Sequence, residues 1–376
     1  MAVKHLYGRA FVDGEILDGV RVSLKDGVIA EVVQTADVPA TAVRTQGLIV
    51  PGFIDCHIHG GDGADFMDAD DAGIARILSF HARHGTTALA ATTLSASPSD
   101  LRKAVAAIGR AAKAETGGQI CALHLEGPFI NPERAGAQDR SSIRPPDVEE
   151  LGALLGEAPE LPWIVTLAPE MPGARALIER FRDRVKLAIG HTAADYHAAM
   201  EGLSWGASHF THLFNAMTGL HHREPGAVGA AMVSPEATVE LIADGLHVAP
   251  AVLHVAARMM PDRVALVSDA IRACGRPDGV YKLYHHDVTV AGREARLADG
   301  TLAGSLLTMC AAVRLMVELA GLPLASVIPL ATEVPARILG LAARKGKLER
   351  GYDADVVVLD EEFRAERVFV KGRERF

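Results

Sequence analysis

The sequence predicts an α/β fold: a (β/α)8 TIM-like barrel with a small β-sandwich domain built from both chain termini. Three observations lead there. Eight apolar, strand-like runs alternate with helical patterns through the middle of the chain. Five of those runs end in His, Glu or Asp. Short strand-like runs broken by turn signals occupy both ends. A doubly wound sheet is the runner-up, but it would not need so many strands that end in polar functional residues.

The elements follow in order. Residues 6–12, 19–25 and 28–33 read as strands, with Asp13-Gly14 and Asp26-Gly27 as hairpin turns. Residues 355–359 and 367–370 repeat that texture, so 1–49 and 346–376 are expected to form one β-domain around a barrel of 50–345. The barrel strands are expected at 48–58, 86–93, 120–129, 163–169, 185–192, 207–214, 238–248 and 264–271. Helices are expected at 71–84, 101–115, 194–205 and 306–319, where apolar residues recur at helical spacing. No internal repeat or low-complexity segment interrupts the pattern.

The 376 residues are enough for a large core. A net charge of −9 leaves no basic stripe to neutralise phosphates, which argues against a nucleic-acid partner but not against a small anionic substrate. Cys56, Cys121, Cys274 and Cys310 form no Cys-x-x-Cys. They read as reduced thiols of a cytoplasmic protein. The first residues lack a signal-peptide pattern, and no run of eighteen apolar residues suggests a membrane span.

The site begins at Pro51-Gly-Phe-Ile-Asp-Cys-His-Ile-His-Gly60. Residues i and i+2 of a strand share a face, so His57 and His59 leave the first strand side by side. Glu126, His191, His212 and Asp269 end the third, fifth, sixth and eighth runs. Active sites of such barrels lie at the C-terminal strand ends. A single histidine there is usually an ordinary hydrogen-bonding residue, and Asp269 alone could be a helix N-cap. Six such residues on five strands point to a metal site instead. Nitrogen and carboxylate donors suit Zn²⁺, with Fe²⁺ or Mn²⁺ as alternatives. His124 shares the face of Glu126 and reads as interior packing or as a support behind the ligands, not as a ligand itself. His81, His84, His197 and His254 fall on helical runs, and His285-His286 in a polar hairpin-like segment.

Taken together, these motifs resemble the N-acetylglucosamine-6-phosphate deacetylases of the amidohydrolase superfamily, over almost the whole length. Besides 51–61 they are His-Leu-Glu-Gly-Pro-Phe-Ile-Asn-Pro (124–132), Gly-His-Thr (190–192), Thr-His-Leu-Phe-Asn-Ala-Met (211–217), His-Arg-Glu-Pro-Gly (222–226), Asp-Gly-Leu-His (244–247), Val-Ser-Asp-Ala (267–270) and Leu-Ala-Gly-Ser (302–305). The resemblance implies that Glu126, His191 and His212 hold a primary metal and that Asp269 is the general base and acid. It implies one or two ions, the second at His57 and His59 with Glu126 bridging. It places Asn215, the Ala216 backbone and His247 against the sugar or phosphate. Leu302, Ala303 and Gly304 would line the acetyl end, and Ala137 and Gln138 belong to the same pocket. Arg223 would reach the phosphate from the neighbouring subunit of a homodimer. Other members place a histidine where Gln138 stands, and Gln donates one hydrogen bond without charge.

The implied reaction is metal-dependent hydrolysis of N-acetyl-D-glucosamine 6-phosphate to acetate and D-glucosamine 6-phosphate, in amino-sugar catabolism or cell-wall recycling. Rivals are a deacetylase of N-acetylgalactosamine 6-phosphate or of an unphosphorylated sugar, a dihydroorotase or hydantoinase, and a non-catalytic barrel. Glu126 stands where a carboxylated lysine would be wanted by the dihydroorotase reading. The intact ligand set disfavours a non-catalytic relative.

Overall fold

The computed structural model describes residues 3–114 and 119–376. Eight strands lie side by side in chain order: Phe53–Ile58, Thr86–Thr93, Gln119–Glu126, Trp163–Leu167, Lys186–Ile189, His209–Phe210, Thr238–Ile242 and Val264–Val267. Every neighbouring pair is parallel. The last strand returns to the first through backbone hydrogen bonds of 2.9 Å. The Asp269 amide donates to the His57 carbonyl, and the His59 amide to that of Ala270. These bring the barrel close to full closure.

Several expected strands are corrected, the fifth, seventh and eighth ending early at Ile189, Ile242 and Val267. The run at 48–58 is two strands, Val43–Pro51 in the terminal sheet and Phe53–Ile58 in the barrel. Gly52 makes the break: a Cβ there would lie 2.1 Å from Thr87 Oγ1, so only glycine lets the chain pass between the sheets. The sixth strand, expected over 207–214, keeps only His209–Phe210. His212, Phe214 and Ala216 have positive φ, which takes the chain out of the sheet.

Helix starts follow their caps. Pro98–Lys113 begins three residues before its first expected residue, because Ser97 Oγ accepts from the Asp100 amide and Pro98 takes the first helical position. It buries Leu101, Ala104, Val105, Ile108 and Ala111, one stripe at helical spacing. Glu115, expected in this helix, lies outside the described residues. Tyr196–Trp205 waits for its cap at Asp195, and Met309–Glu318 for Thr308.

The two termini share one seven-stranded sheet. Its strand Val43–Pro51 runs parallel to Lys4–Val12 and antiparallel to Val356–Leu359. The sheet curls until Ile29 donates to the Tyr352 carbonyl and accepts from the Gly351 amide, both at 2.8 Å. The two layers expected of a sandwich are thus parts of one sheet, folded over Leu6, Val22, Ile49, Val356 and Phe369. Lys345 ties this sheet to the barrel. It is buried, with Nζ 2.5 Å from Asp355 Oδ2 and 2.6 Å from Gln119 Oε1, at the start of the third barrel strand.

A three-stranded antiparallel sheet follows the eighth barrel strand: Gly279–Leu283, His286–Ala291 and Glu294–Arg296. Tyr284 and His285 form its first turn, and His286 opens the second strand. The Tyr284 hydroxyl donates to Asp100 Oδ2 at 3.0 Å, and Arg293 donates to the Asp244 carbonyl at 2.6 Å. These contacts hold the insertion over the barrel mouth.

Candidate active site

All six strand-end residues meet at the C-terminal mouth of the barrel, and all are buried. Two groups share a boundary. In the first, His191 Nε2 and His212 Nε2 lie 3.2 and 2.9 Å from Glu126 Oε1, and 3.1 Å from each other. In the second, His57 Nε2 and His59 Nε2 are 3.2 Å apart and lie 3.5 and 3.2 Å from Asp269 Oδ1. Glu126 reaches both groups, with Oε1 3.4 Å from His57 and Oε2 3.2 Å from His59. Asp269 is therefore not a helix cap: its carboxylate faces the two histidines.

His191, His212 and Asp269 adopt φ of 48°, 29° and 49°. Left-handed backbone at a non-glycine residue costs of order 1–3 kcal/mol and persists only where its surroundings enforce it. Gly190, just before His191, is enforced too, because a Cβ there would lie 2.7 Å from Thr211 Cβ.

The chemistry of these donors fits a divalent cation. His191 Nδ1 lies 2.8 Å from the Arg134 carbonyl, which can only accept, so the proton sits on Nδ1. A neutral His191 then turns a lone pair towards Glu126 and His212, as a metal-ligating imidazole must. The separations of 2.9–3.5 Å bracket the edge of roughly 3.3 Å in a tetrahedron of donors about 2.0–2.1 Å from zinc.

The electrostatics agree. Burial opposes a charged His57, yet Glu126, Glu240 and Asp269 raise its pKa well above the usual imidazole value. His59 is likewise raised to about 9, against burial, by Asp269 and Glu126. Burial works against ionised Glu126, but the charge of His57 and the bonds to His191 and His212 hold its pKa well below the usual range. Three buried carboxylates around a few imidazoles form a pocket that demands positive charge.

Support comes from residues the sequence reading had not singled out. Glu240, inside the seventh strand, contacts His57 Nδ1 at 2.9 Å and His209 Nε2 at 3.0 Å, and accepts from the His212 amide at 3.0 Å. It sits among the apolar residues Val239, Leu241 and Ile242, and a lone Glu in such a run was the available signal. Glu170 accepts from Asn131 Nδ2, the Ala193 amide and the Thr192 hydroxyl, joining the loops beside Arg134 and His191. His124 is packed below the site, 2.7 Å from Thr166 Oγ1.

Above this cluster lies a cavity of about 340 Å³, within the usual range for small-molecule sites. Ala137, Gln138, Asn215 and Ala216 line one side. His247, Leu302 and Gly304 line another, with Leu94, Ile271 and Leu283 as apolar wall. Ala303 does not reach it and packs beneath the three-stranded sheet. Arg223 does not reach it either: it is exposed beside an adjoining hollow, 2.7 Å from His222. Gln138 is occupied on both sides, Nε2 donating to Glu126 Oε2 and Oε1 accepting from the Ser95 amide, each at 2.6 Å. Asp244 Oδ2 holds His247 Nδ1 at 2.6 Å.

The amidohydrolase family matches residues 48–375. The chain is 39% identical over 357 residues to the N-acetylglucosamine-6-phosphate deacetylase of Bacillus subtilis (strain 168), covering 92% of this chain and 90% of that one. It is 37% identical over 360 residues to the N-acetylgalactosamine-6-phosphate deacetylase of Escherichia coli O157:H7, covering 95% of each. Among solved structures, a mutant N-acetyl-D-glucosamine-6-phosphate deacetylase from Mycobacterium smegmatis, in complex with N-acetyl-D-glucosamine-6-phosphate, superposes with a TM-score of 0.93 at 36% identity. The match covers 99% of this chain and 98% of that one.

Proposed function

The chain belongs to the amidohydrolase family, and from that we propose that it hydrolyses the N-acetyl group of N-acetyl-D-glucosamine 6-phosphate, releasing acetate and D-glucosamine 6-phosphate. The observation that carries the reading is the pairing of a cation-demanding donor cluster with a small cavity that has both polar and apolar walls. The glucosamine sugar is favoured by the higher identity to the Bacillus subtilis relative and by the ligand of the Mycobacterium smegmatis complex.

Glu126, His191 and His212 are read as holding the primary divalent metal, with His57 and His59 offering a second position. The nitrogen and oxygen donors favour zinc. Such a cation, once bound, acidifies water and polarises an amide carbonyl. Asp269 stands beside His57 and His59 and borders the cavity, placed to take the proton of the attacking water and return it to the leaving nitrogen. His247, oriented by Asp244, faces the cavity as a hydrogen-bond donor for a sugar hydroxyl or the developing oxyanion. Gln138 holds Glu126 in place rather than offering its amide to the substrate. Leu94, Ile271 and Leu302 suit the acetyl methyl.

Homodimerisation, with Arg223 serving a neighbouring site, is supported by its exposure away from this chain's own cavity. Among the described residues no helix is long and apolar enough to cross a membrane. Four free, buried cysteines support the cytoplasmic reading. The experiment is an acetate-release screen of phosphorylated and free N-acetyl amino sugars on protein loaded with defined metals. Turnover of N-acetyl-D-glucosamine 6-phosphate well above the galacto epimer is expected. The reading fails if no N-acetyl amino sugar releases acetate from the metal-loaded protein.

A further inference from the structure

The fourth barrel strand, Trp163–Leu167, lies between those that lead to Glu126 and His191, yet it sends no donor to the metal cluster. Its carboxylate comes just beyond the strand, at Glu170. The turn that carries Glu170 is fixed. The Ala168 amide donates to the Phe129 carbonyl at 3.0 Å, and a Cβ on Gly202 would lie 2.8 Å from Pro169 Cβ. Glu170 is half-buried and makes no ion pair among the described residues. Three hydrogen-bond donors converge on it instead. Oε1 accepts from the Ala193 amide at 2.6 Å and from Asn131 Nδ2 at 2.9 Å, and Oε2 accepts from the Thr192 hydroxyl at 2.6 Å. Each contact leads to His191. Thr192 and Ala193 follow it directly in the chain. The Asn131 amide donates to the His191 carbonyl at 2.9 Å. Asn131 also caps the turn Pro132–Arg134, and the Arg134 carbonyl accepts from His191 Nδ1 at 2.8 Å.

We propose that Glu170 is a positioning residue: it sets His191 as a donor to the primary metal by gripping the two segments that fix its backbone and its ring. This rests on the reading of Glu126, His191 and His212 as metal donors. His191 sits at φ of 48°, a conformation that persists only where its surroundings enforce it. Two of the three contacts hold the residues immediately after it. The third holds the turn that fixes the tautomer, so that Nε2 faces Glu126 and His212. An ionised carboxylate accepts on both oxygens and binds such donors about twice as strongly as a neutral acceptor. Glu170 lies outside the residues that line the cavity, so it acts through His191 and not on the substrate. A carboxylate that merely stapled a loop would have no reason to collect its donors from the two segments that determine one metal donor.

The test uses full-length protein and compares wild type, Glu170→Ala, Glu170→Gln and Asp195→Ala. Asp195 caps the following helix from the same loop, through the Ala198 amide at 2.8 Å, and its replacement controls for loosening of that loop. Zinc titration is followed on the imidazole NMR signals. Binding at His191 and His212 should weaken about ten- to hundredfold in Glu170→Ala, while the His57 and His59 signals titrate nearly as in wild type. Glu170→Gln should recover most of the affinity, because its oxygen can still take Ala193 and Asn131 while the Thr192 hydroxyl turns to accept from its amide. Asp195→Ala should lower the melting temperature and leave zinc affinity unchanged. In metal-free protein, Glu170→Ala should also lose the fixed Nδ1–H tautomer of His191. The proposal is overturned if Glu170→Ala binds zinc at His191 as wild type does, or if Asp195→Ala weakens it equally. It is overturned too if Glu170→Gln fails to rescue, since charge near the ion would then be the cause. If wild type takes up no zinc, the metal reading fails instead, and the proposal is decided by whether Glu170→Ala loses the His191 tautomer.

Discussion

His57 meets Glu240 on the side of its ring that faces away from the cavity, with Nδ1 and Oε2 2.9 Å apart. That contact fixes the tautomer and leaves Nε2 free to act as a donor to metal. The same carboxylate holds the His212 backbone at 3.0 Å, so one buried group orients residues of both donor clusters.

Glu240→Gln should therefore weaken metal binding by about ten- to hundredfold, most of all at the His57 and His59 position. Metal titration followed by native mass spectrometry would read this as loss of the second equivalent before the first. Two equivalents retained at wild-type affinity would show that the contact is only packing.

Asp269→Asn preserves shape and removes the ability to take a proton. Turnover should drop by about 10²–10⁴-fold with the fold and the primary metal retained. Steady-state kinetics beside elemental analysis check this. A loss of only a few-fold would move the proton transfer to another group.

His247 should stay protonated at higher pH than an ordinary histidine. Burial opposes its charge, but the bond and charge of Asp244, with Asp269 beyond, raise its pKa, while Arg296 works against them. Asp244, against its own burial, is correspondingly lowered, by His247. The pair thus contributes stability between the two limits. His247's share is complete below the ordinary imidazole value and is lost as pH rises through its raised pKa. Asp244's share is present above the ordinary carboxylate value and is lost as pH falls through its lowered pKa. Asp244→Asn should bring the His247 titration, followed by imidazole NMR, down towards its ordinary position. An unmoved titration would remove Asp244 as the cause.

Lys345→Ala should destabilise the protein by about 3–5 kcal/mol, because it strands the buried Asp355 carboxylate without its cation. Denaturant unfolding measures the difference. Simultaneous replacement of Lys345 and Asp355 by apolar residues should recover much of it.

The barrel was legible because a parallel strand buried on both faces leaves an apolar run, and the donors because topology sends every strand's C-terminal end to one mouth. Strand ends were less legible. His191, His212 and Asp269 stop their strands by entering left-handed backbone, a conformation no residue type other than glycine advertises. Glu240 escaped notice because its partners His57 and His209 come from other strands, and only closure of the barrel brings them together. Gln138 was seen as a departure at a substrate-facing position. Its contacts with Ser95 and Glu126 depend on a loop whose path local spacing does not determine.

The left-handed backbone at His191, His212 and Asp269 sets activity against folding at those three positions. Glycine would adopt φ of 48°, 29° or 49° without steric conflict. Glycine would relieve that strain but would also empty a buried position and strip a partner from the carboxylates of Glu126 and Asp269 or from the two histidines. Alanine at the same position empties it equally and keeps the strain. The difference in melting temperature between the glycine and alanine replacements, in metal-free protein, thus reads the backbone strain alone.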